Sequence, residues 1–462
     1  MKKHSQILAL LFFGVLIGAL DISIVGPAIP SIEKTIGMNE RDISWIFSIY
    51  VLFNLVGISL MARLSDFFGR KWIYIVSLFI FGAGSLVVSL SDNISVLLIG
   101  RAIQGFGSSG IFPVASAVIG DVIPVEKRGR ALGLLGAVFG LAFLMGPFIA
   151  GFMLLYFTWN SLFLINIPVV VILIIFSNFL LPSKRIEDIK RFDWEGIILL
   201  AVILSCFTLI VNTVDARDVL ESLFGWPILP LLVLMLILIP ILLMNERLQK
   251  EPIINIRLIS NRQTRLVGLI AFGIGLFQSS MVFMPKLMVE LFTISPSTAS
   301  FMLAPVVIAT AFGSPLAGRL VDKIGSRKII ATGLILSSVA LFLFSFLVKS
   351  SLYIYISGAL LGCGLTMRSS LNYIMLNEVP AKERASTQGF LIIFISTGQL
   401  TGSALFGSLT QSFGKGLNGF GYAFLIMAGL AFLLAVSSLF LKSRKHELEN
   451  IVQKPWIIWI NS

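Results

Sequence analysis

Apolar runs of roughly 20 residues alternate with short polar stretches along most of the chain. As a helix, each run is long enough to cross a hydrocarbon layer about 30 Å thick. The strands of a membrane barrel would instead alternate apolar and polar residues over segments of about ten residues, and the sequence does not show that pattern. The pattern therefore predicts an all-α polytopic membrane protein.

These runs predict fourteen membrane-spanning helices. Their approximate positions are 7–29, 43–62, 72–90, 94–120, 131–154, 161–181, 194–213, 226–244, 266–289, 298–318, 328–348, 352–377, 385–411 and 420–441. The first run follows a basic start but has no convincing cleavage site, so we expect it to remain as an uncleaved helix.

Composition and charge agree with this class and predict its orientation. The chain is 57% hydrophobic and 13% charged, whereas a soluble domain carries about 25% charged residues. Most of the 35 Lys and Arg residues fall in alternate loops and in the two tails, while the loops between them hold five. This positive-inside bias predicts a cell-membrane protein with both termini in the cytoplasm. The net charge of +12 is thus explained without a nucleic-acid partner.

A short polar motif occurs twice and indicates an internal repeat. Residues 62–71 and 318–328 share the pattern small-x-Leu-x-Asp-x-x-Gly, followed by two cations, and their acids lie 256 positions apart. The same offset relates 124–128 to 380–384 and 146–151 to 402–407. The chain is therefore predicted to contain two homologous halves of six helices. Repeats of this kind place a substrate site between the halves.

The repeat divides the chain into four predicted regions. They are an N-terminal six-helix bundle (1–181), a linker with two additional membrane helices (182–265), a C-terminal six-helix bundle (266–441) and a cytoplasmic tail (442–462). The two additional helices are rich in Leu and Ile and carry few polar groups. We expect them to form a peripheral hairpin without substrate chemistry.

Several motifs resemble those of the major facilitator superfamily. The 62–71 loop is similar to the superfamily signature between helices 2 and 3, and 98–107 is similar to its fourth-helix Arg motif. The stretches 20–30, 146–151, 159–168 and 193–196 resemble motifs of the fourteen-span drug:proton antiporter branch, with Gly26 and Asn160 as departures. The resemblance implies a major facilitator fold, with two six-helix bundles plus two inserted helices, and export driven by a proton gradient.

The 62–71 loop is predicted to hold a conformational latch. Glycine permits a tight turn, and an acid interacts favourably with the start of the next helix. A basic loop that only fixes membrane topology is the simpler interpretation, but the repetition of the motif favours an ionic latch between the halves. The residues assigned to this latch are Asp66, Gly69, Arg70, Lys71, Arg128 and Asp322.

Asp21 and Arg101 are the candidates for proton coupling. A carboxylate at membrane depth is costly and marks a proton, ion or substrate site. Helix rise places Asp21 about 12 Å and Arg101 about 10 Å from the same membrane face, so we expect them to pair. A static pair that only holds two helices together is the alternative. The repeat places Phe277 and Ser357 at the corresponding positions, so these charges belong to the first half alone.

Small residues in the predicted fifth helix form a further candidate site. They are Gly136, Gly140, Gly146, Pro147 and Gly151, which allow close helix approach and introduce a proline bend. Ordinary close packing is one interpretation. The family resemblance implies a second one, in which a tightly sealed interface also limits proton leak.

Polar and aromatic residues within the spans are candidates for a substrate cavity. They are Gln104, Asn166, Phe277, Gln278, Arg368, Asn372 and Gln399. An apolar cavity with few polar groups suits amphipathic compounds of varied structure. Arg368 could attract an anionic substrate or reach the membrane interface, and both interpretations stay open. Lys286 and Glu290 are expected to form an interfacial pair near a helix end.

These features predict a secondary active transporter rather than an enzyme. The expected function is proton-coupled efflux of hydrophobic or amphipathic drugs or toxic compounds by alternating access, driven by the proton gradient without a cofactor or metal. The alternatives are a dedicated transporter of a single metabolite, lipid or antibiotic, and a non-transporting membrane sensor on the same fold. The expected partners are small amphipathic substrates, protons and the lipid bilayer, and we expect a monomer.

Overall fold

The computed structural model describes residues 2–182, 194–215, 217–249, 261–378, 384–413, 416–444 and 446. The regular secondary structure in these ranges is entirely helical. The helices are α1 (Lys2–Ile36), α2 (Glu40–Phe68), α3 (Arg70–Ser89), α4 (Ile94–Val122), α5 (Val125–Tyr156), α6 (Asn160–Leu164), α7 (Asn166–Leu180), α8 (Trp194–Thr213), α9 (Val219–Phe224), α10 (Ile228–Leu248), α11 (Arg262–Ser280), α12 (Met284–Phe292), α13 (Pro296–Phe301), α14 (Ala304–Ile324), α15 (Ser326–Ser345), α16 (Ser351–Leu365), α17 (Arg368–Glu378), α18 (Arg384–Ser412) and α19 (Leu417–Ser438).

Among the described residues, 13 helical segments are long and apolar enough to cross a membrane. The remaining predicted span, 352–377, consists of α16 and α17, which are separated by a turn at Thr366 and Met367. The predicted class, an all-α integral membrane protein, is therefore confirmed.

The repeat offset of 256 is reproduced in the helix boundaries. α3 covers Arg70–Ser89 and α15 covers Ser326–Ser345, so both ends of the two helices differ by this offset. The residue before each helix is a glycine with positive φ, 94° at Gly69 and 87° at Gly325. An L side chain is strained in this conformation, so glycine permits the sharp junction between consecutive helices. The predicted domain limits themselves stay a prediction.

Three long helices of the first half correspond to broken helices in the second half. α1, α2 and α4 are continuous, whereas the segments at the repeat offset are α11 with α12, α13 with α14, and α16 with α17. Pro285 and Pro305 lie in the first turns of α12 and α14. Because proline cannot donate a hydrogen bond to the preceding turn, it favours a helix break just before it. The two halves thus have the same order of helices, but three helices that are continuous in the first half are interrupted in the second.

Several of the described contacts between the halves lie at one end of the helical bundle. We call the end that holds the start of α1 the near end, and the end that holds the loop 37–39 the far end. α2 packs against α18, and α5 packs against α13 and α14. At the far end Ser297 Oγ donates to the Gly151 carbonyl at 2.5 Å, and the Phe148 and Phe301 rings pack with centroids 6.1 Å apart. These contacts join the first half to the second.

The two inserted membrane helices have different environments. α8 packs on α2 and α18, whereas α10 packs on α8 and has little of its surface buried. The prediction of a peripheral hairpin is therefore right for α10 and wrong for α8, because α8 fits against helices from both halves.

Gly69→Ala is expected to destabilise the protein by about 1–3 kcal/mol, since alanine would have to adopt a backbone conformation that is almost restricted to glycine. The conformation in question is φ 94°, ψ 143°. The matched control is Gly429→Ala in α19, where a methyl group would meet no neighbouring atom within 4 Å. Thermal unfolding in detergent measures the difference, and equal melting temperatures for the two variants would contradict the argument from backbone strain.

Candidate functional site

Asp21 and Arg101 meet in the interior of the first half. Asp21 lies in α1 and Arg101 lies in α4, and both side chains are fully buried. Arg101 Nη1 donates a hydrogen bond to Asp21 Oδ2 at 2.7 Å. The structure therefore places the two candidate coupling residues in direct contact.

Glycines hold α4 close to its neighbours and so position Arg101. A methyl group at Gly105 would overlap the Tyr50 backbone of α2, and one at Gly107 would overlap the Phe81 backbone of α3. Small residues permit such an approach because no side chain keeps the backbones apart. The glycine-rich sequence of α4 thus brings three helices around the buried ion pair.

Three further polar side chains complete a buried network around Asp21. Gln104 Nε2 and Asn166 Nδ2 donate to Asp21 Oδ1, at 2.9 and 3.0 Å. The same two nitrogens donate to Ser85 Oγ, at 2.7 and 3.1 Å. Gln104 Oε1 in turn accepts from Arg101 Nη1 at 2.8 Å. Hydrogen bonds to charged groups are stronger than neutral ones, so the network offsets part of the cost of burying the ion pair.

Arg101 has further contacts and one unused donor. Its Nε donates to the Ile46 carbonyl at 3.3 Å, and its guanidinium lies 4.1 Å from the centroid of the Tyr50 ring. Nη2 has no hydrogen-bond partner within the part of the chain that the structure describes. An unpaired buried donor is costly, and Nη2 is the one part of this guanidinium whose hydrogen-bonding capacity the described residues do not meet.

Part of the fifth-helix motif packs α5 against other helices. A methyl group at Gly146 would overlap the Ser23 side chain of α1, so glycine is required for this close approach. Pro147 is buried inside α5. Gly151 lies against the Phe301 ring of the second half. The motif therefore connects α5 both to the helix of Asp21 and to the opposite half.

The remaining glycines of that motif have different surroundings. A methyl group at Gly140 would meet no neighbouring atom within 4 Å, so packing does not require glycine there. The surroundings of Gly136 lie outside the described residues.

The 62–71 motif forms its described contacts within the first half. Asp66 pairs with Arg70, whose Nε donates to Asp121 Oδ2 of α4 at 3.1 Å. Arg70 Nη1 also donates to Ser65 Oγ at 2.7 Å. The sharp junction at Gly69 explains this geometry, because it lets Arg70, the first residue of α3, reach back to Asp66 in the last turn of α2 and across to α4. In this conformation the described contacts join α2, α3 and α4 of the first half, and the latch between the halves stays a prediction.

Three residues assigned to the latch complete this description. Lys71 Nζ lies 5.6 Å from the centroid of the Trp72 ring. Arg128 lies near the start of α5, and its side chain and that of Asp322 lie outside the described residues.

Three of the candidate cavity residues are enclosed. Gln104 and Asn166 belong to the Asp21 network and are almost fully buried. Phe277 is also buried, in the main hydrophobic core. In this conformation these three side chains are part of the packed interior and are not exposed to an open cavity.

The other candidate cavity residues are half-buried and belong to the second half. Gln399 Nε2 of α18 donates to Gln278 Oε1 of α11 at 3.2 Å. Arg368 and Asn372 lie on α17, directly after the break at 366–367. The structure therefore does not gather the seven cavity candidates into one site.

Lys286 makes a contact that sequence reasoning missed. Its Nζ lies 2.7 Å from Glu33 Oε1 of α1 and 3.7 Å from Glu290 Oε1 of its own helix. The Lys286 side chain is 3% exposed, whereas Glu33 and Glu290 are about 30% exposed. The predicted Lys286–Glu290 pair is therefore present, but the packing of α12 on α1 brings Glu33 closer to Lys286 than Glu290 is. The partly buried Glu33–Lys286 pair joins the two halves at the far end.

Ser85 and Tyr50 are further site residues that sequence reasoning missed. A single Ser or Tyr within a span carries no pattern that distinguishes a structural role from a site role. The contact of Tyr50 with Arg101 follows only from the packing of the helices. The same is true of the hydrogen bonds of Ser85 to Gln104 and Asn166.

Comparisons with known proteins identify the group that this chain resembles. The family model of the Major Facilitator Superfamily matches residues 11–277 and 266–459. The multidrug transporter protein MdtP of Bacillus subtilis is 30% identical over 394 residues, which cover 83% of this chain and 70% of MdtP. The riboflavin transporter RibZ of Clostridioides difficile is 28% identical over 413 residues, 88% of each chain.

A solved structure has the same fold. The crystal structure of the nucleoside transporter NupG superimposes with a TM-score of 0.66 and covers 95% of this chain and 98% of NupG. The sequences are 13% identical, so this likeness concerns the fold alone.

The Glu33–Lys286 pair is expected to stabilise the protein more than the Glu290–Lys286 pair. Double-mutant cycles with Glu33→Gln, Glu290→Gln and Lys286→Met should give a coupling of about 1–2 kcal/mol for the first pair, since it is a largely buried, charged hydrogen bond. The second pair should show about 0.3–0.5 kcal/mol, typical of charges four residues apart on a helix. Denaturant unfolding in mixed micelles measures both, and equal couplings would contradict the assignment of Glu33 as the main partner.

Proposed function

Since this chain belongs to the Major Facilitator Superfamily and is a membrane transporter, we propose that it exports hydrophobic or amphipathic compounds across the cytoplasmic membrane in exchange for protons. The observation that carries the proposal is the buried Asp21–Arg101 ion pair with its polar network. Ionisable residues at membrane depth are costly and mark proton or substrate paths. The repeat places Phe277 and Ser357 at the corresponding positions, so no second acid of this kind is available from the other half.

Asp21 is the proposed proton carrier. While its carboxylate is ionised, Arg101, Gln104 and Asn166 hold it between α1, α4 and α7. A proton that binds to Asp21 Oδ2 removes the charge that attracts Arg101, whose unused Nη2 donor then favours a different acceptor. The contacts between the three helices weaken as a result. Protonation thus changes the relative free energies of the two access states, which is what coupling requires.

The two halves are proposed to move against each other during alternating access. At the far end they are joined by the Glu33–Lys286 pair and by the hydrogen bond from Ser297 to the Gly151 carbonyl. Access from this end requires that these contacts separate. The positive-inside bias assigns the near end and both termini to the cytoplasm, so the far end faces outward. One chain contains both halves, and a monomer is therefore sufficient.

Amphipathic compounds are the proposed substrates. The name of MdtP, which is 30% identical, describes a multidrug transporter. In this chain the half-buried Gln278 and Gln399 offer amide groups without a fixed charge. Such groups orient a ligand in an apolar site without requiring one particular structure.

A dedicated transporter of one metabolite is the second candidate. RibZ, whose name describes a riboflavin transporter, is 28% identical over 88% of each chain, close to the similarity with MdtP. The half-buried Arg368 on α17 would suit a substrate that carries a negative charge.

Asp21→Asn is expected to lower substrate accumulation driven by a pH gradient by about 5- to 150-fold, the range that corresponds to coupling free energies of 1–3 kcal/mol. The amide has nearly the shape of the carboxyl group but cannot carry the proton, so downhill transport should remain. The measurement is transport in proteoliposomes with an imposed pH gradient, using a lipophilic cation, a neutral drug and an organic anion in parallel.

Asp92→Asn is the matched control, because Asp92 is an exposed carboxylate in the far-end loop before α4. It should transport as the wild type does. Wild-type accumulation in Asp21→Asn would overturn the assignment of Asp21 as the proton carrier. Transport of the organic anion alone, lost in Arg368→Gln, would instead favour the dedicated transporter.

A further inference from the structure

The inserted helix α8 lies across a contact between the two halves. It packs against α2 of the first half and against α18 of the second half, which also pack against each other. We call the α2–α18 contact at the far end the seam. The membrane segment of α10 is 11% buried, compared with 44% for that of α8. The insertion therefore contributes one largely exposed helix and one helix that packs against the transporter itself.

Asn212, near the end of α8, is a buried polar residue in a mostly apolar helix. Ser44 Oγ of α2 donates to Asn212 Oδ1 at 2.9 Å. Ser48 Oγ lies 3.5 Å from the same oxygen and 2.9 Å from Ser403 Oγ of α18. Since a buried amide is costly unless it is hydrogen-bonded, these contacts fix the position of α8 on the seam. Asn212, Ser48 and Ser403 thus join the insertion, the first half and the second half.

Two further hydrogen bonds connect the end of α8 to α18. Ser408 Oγ donates to the Val214 carbonyl at 3.0 Å, and Ser412 Oγ donates to Asp215 Oδ1 at 2.9 Å. The Arg217 backbone N–H and the Ser412 hydroxyl lower the pKa of Asp215, so its carboxylate remains a charged acceptor at neutral pH. α8 is therefore bonded to the second half as well as to the first.

The counterpart of the seam on the other side of the molecule is built differently. The repeat relates α2 to α13 with α14, and α18 to α5, so the contact of α5 with α13 and α14 is the equivalent one. There Ser297 Oγ bonds directly to the Gly151 carbonyl of the opposite half. Because the inserted segment has no counterpart in the repeat, α8 adds contacts to one of the two interfaces only. This asymmetry indicates that α8 affects the balance between the closed and open conformations of the far end.

We propose that α8 is a clamp that stabilises the closed far end, with Asn212 as its positioning residue. When the far end opens, α2 and α18 separate, and α8 can follow only one of them. Opening must then break either the bonds of Asn212 to α2 or the bonds of Val214 and Asp215 to α18. The clamp thereby raises the free energy of the far-end-open state relative to the closed state. This inference rests on the alternating access of the proposed function, but on neither its substrate class nor its proton coupling.

Distances between spin labels across the far end test the clamp. Labels at Asp92→Cys and Lys349→Cys report the exposed loops before α4 and α16, in a background with Cys206→Ala and Cys363→Ala. The substitution Asn212→Leu keeps the side-chain volume and removes the hydrogen bonds. It should raise the ratio of far-end-open to closed molecules about five- to thirtyfold, as expected for the loss of one or two hydrogen bonds.

Thr208→Val is the matched control on the same helix. Thr208 is buried one turn before Asn212, and its hydroxyl donates to the Leu204 carbonyl of α8 itself. This variant should leave the distances unchanged. Ser412→Ala removes the hydrogen bond from α18 to Asp215 while leaving α8 itself unchanged, and it should shift the distances in the same direction as Asn212→Leu by a smaller factor.

Unchanged distances in both Asn212→Leu and Ser412→Ala would overturn the proposal. An equal shift in Thr208→Val would also overturn it, because that result would indicate a general loosening of α8. If Asn212→Leu does not yield folded protein, Ser412→Ala decides the question. The distances between the labels are measured without substrate or pH gradient. The clamp can therefore be disproved by this experiment while the proteoliposome experiment supports proton coupling through Asp21. The opposite combination of results is also possible.

Discussion

The burial of Asp21 and Arg101 is the constraint on which the first half depends. Two charged groups inside an apolar bundle are tolerated only when their hydrogen-bonding capacity is largely met. Side chains or backbone carbonyls of α1, α2, α3, α4 and α7 form the hydrogen bonds of this pair and of the network around it. The positions of these five helices relative to one another are therefore constrained. The glycines of α4 are part of the same requirement, because they allow the backbones to approach closely enough for short side chains to reach.

The two halves have the same order of helices but differ in the continuity of those helices. In the first half α1, α2 and α4 are continuous and the Asp21–Arg101 pair is buried, whereas the corresponding segments of the second half have breaks at 281–283, 302–303 and 366–367, with prolines at the starts of α12 and α14. The segment between the first two breaks, α12 and α13, packs on α1 and α5 of the first half. A short helix bounded by breaks can reorient without bending a long helix, so we interpret the first half as the rigid partner and the second half as the adaptable one.

The far end is held by several modest interactions instead of one strong one. The Glu33–Lys286 pair, the Ser297 hydrogen bond and the contacts of α8 lie on different helices and involve different chemistry. Each contributes on the order of 1 kcal/mol, so together they can bias an equilibrium by a few kcal/mol, which a proton or a substrate can reverse. A single much stronger contact would instead keep one state permanently. The proposed clamp function of α8 would let an insertion outside the repeat affect transport through its contacts with α2 and α18.

Sequence reasoning was sufficient for properties that depend only on the positions of residues along the chain. Hydropathy gave the membrane class and the spans, the offset of 256 predicted matching helix boundaries, and helix rise placed Asp21 and Arg101 at one depth. It failed wherever the direction around a helix axis mattered. It did not find Glu33 as the nearer partner of Lys286, nor the contact of Arg70 with Asp121. Depth follows from counting residues, because the rise per residue of a helix is nearly constant. Which neighbour a side chain faces depends on helix rotation and close packing, and these emerge only when all the helices are assembled.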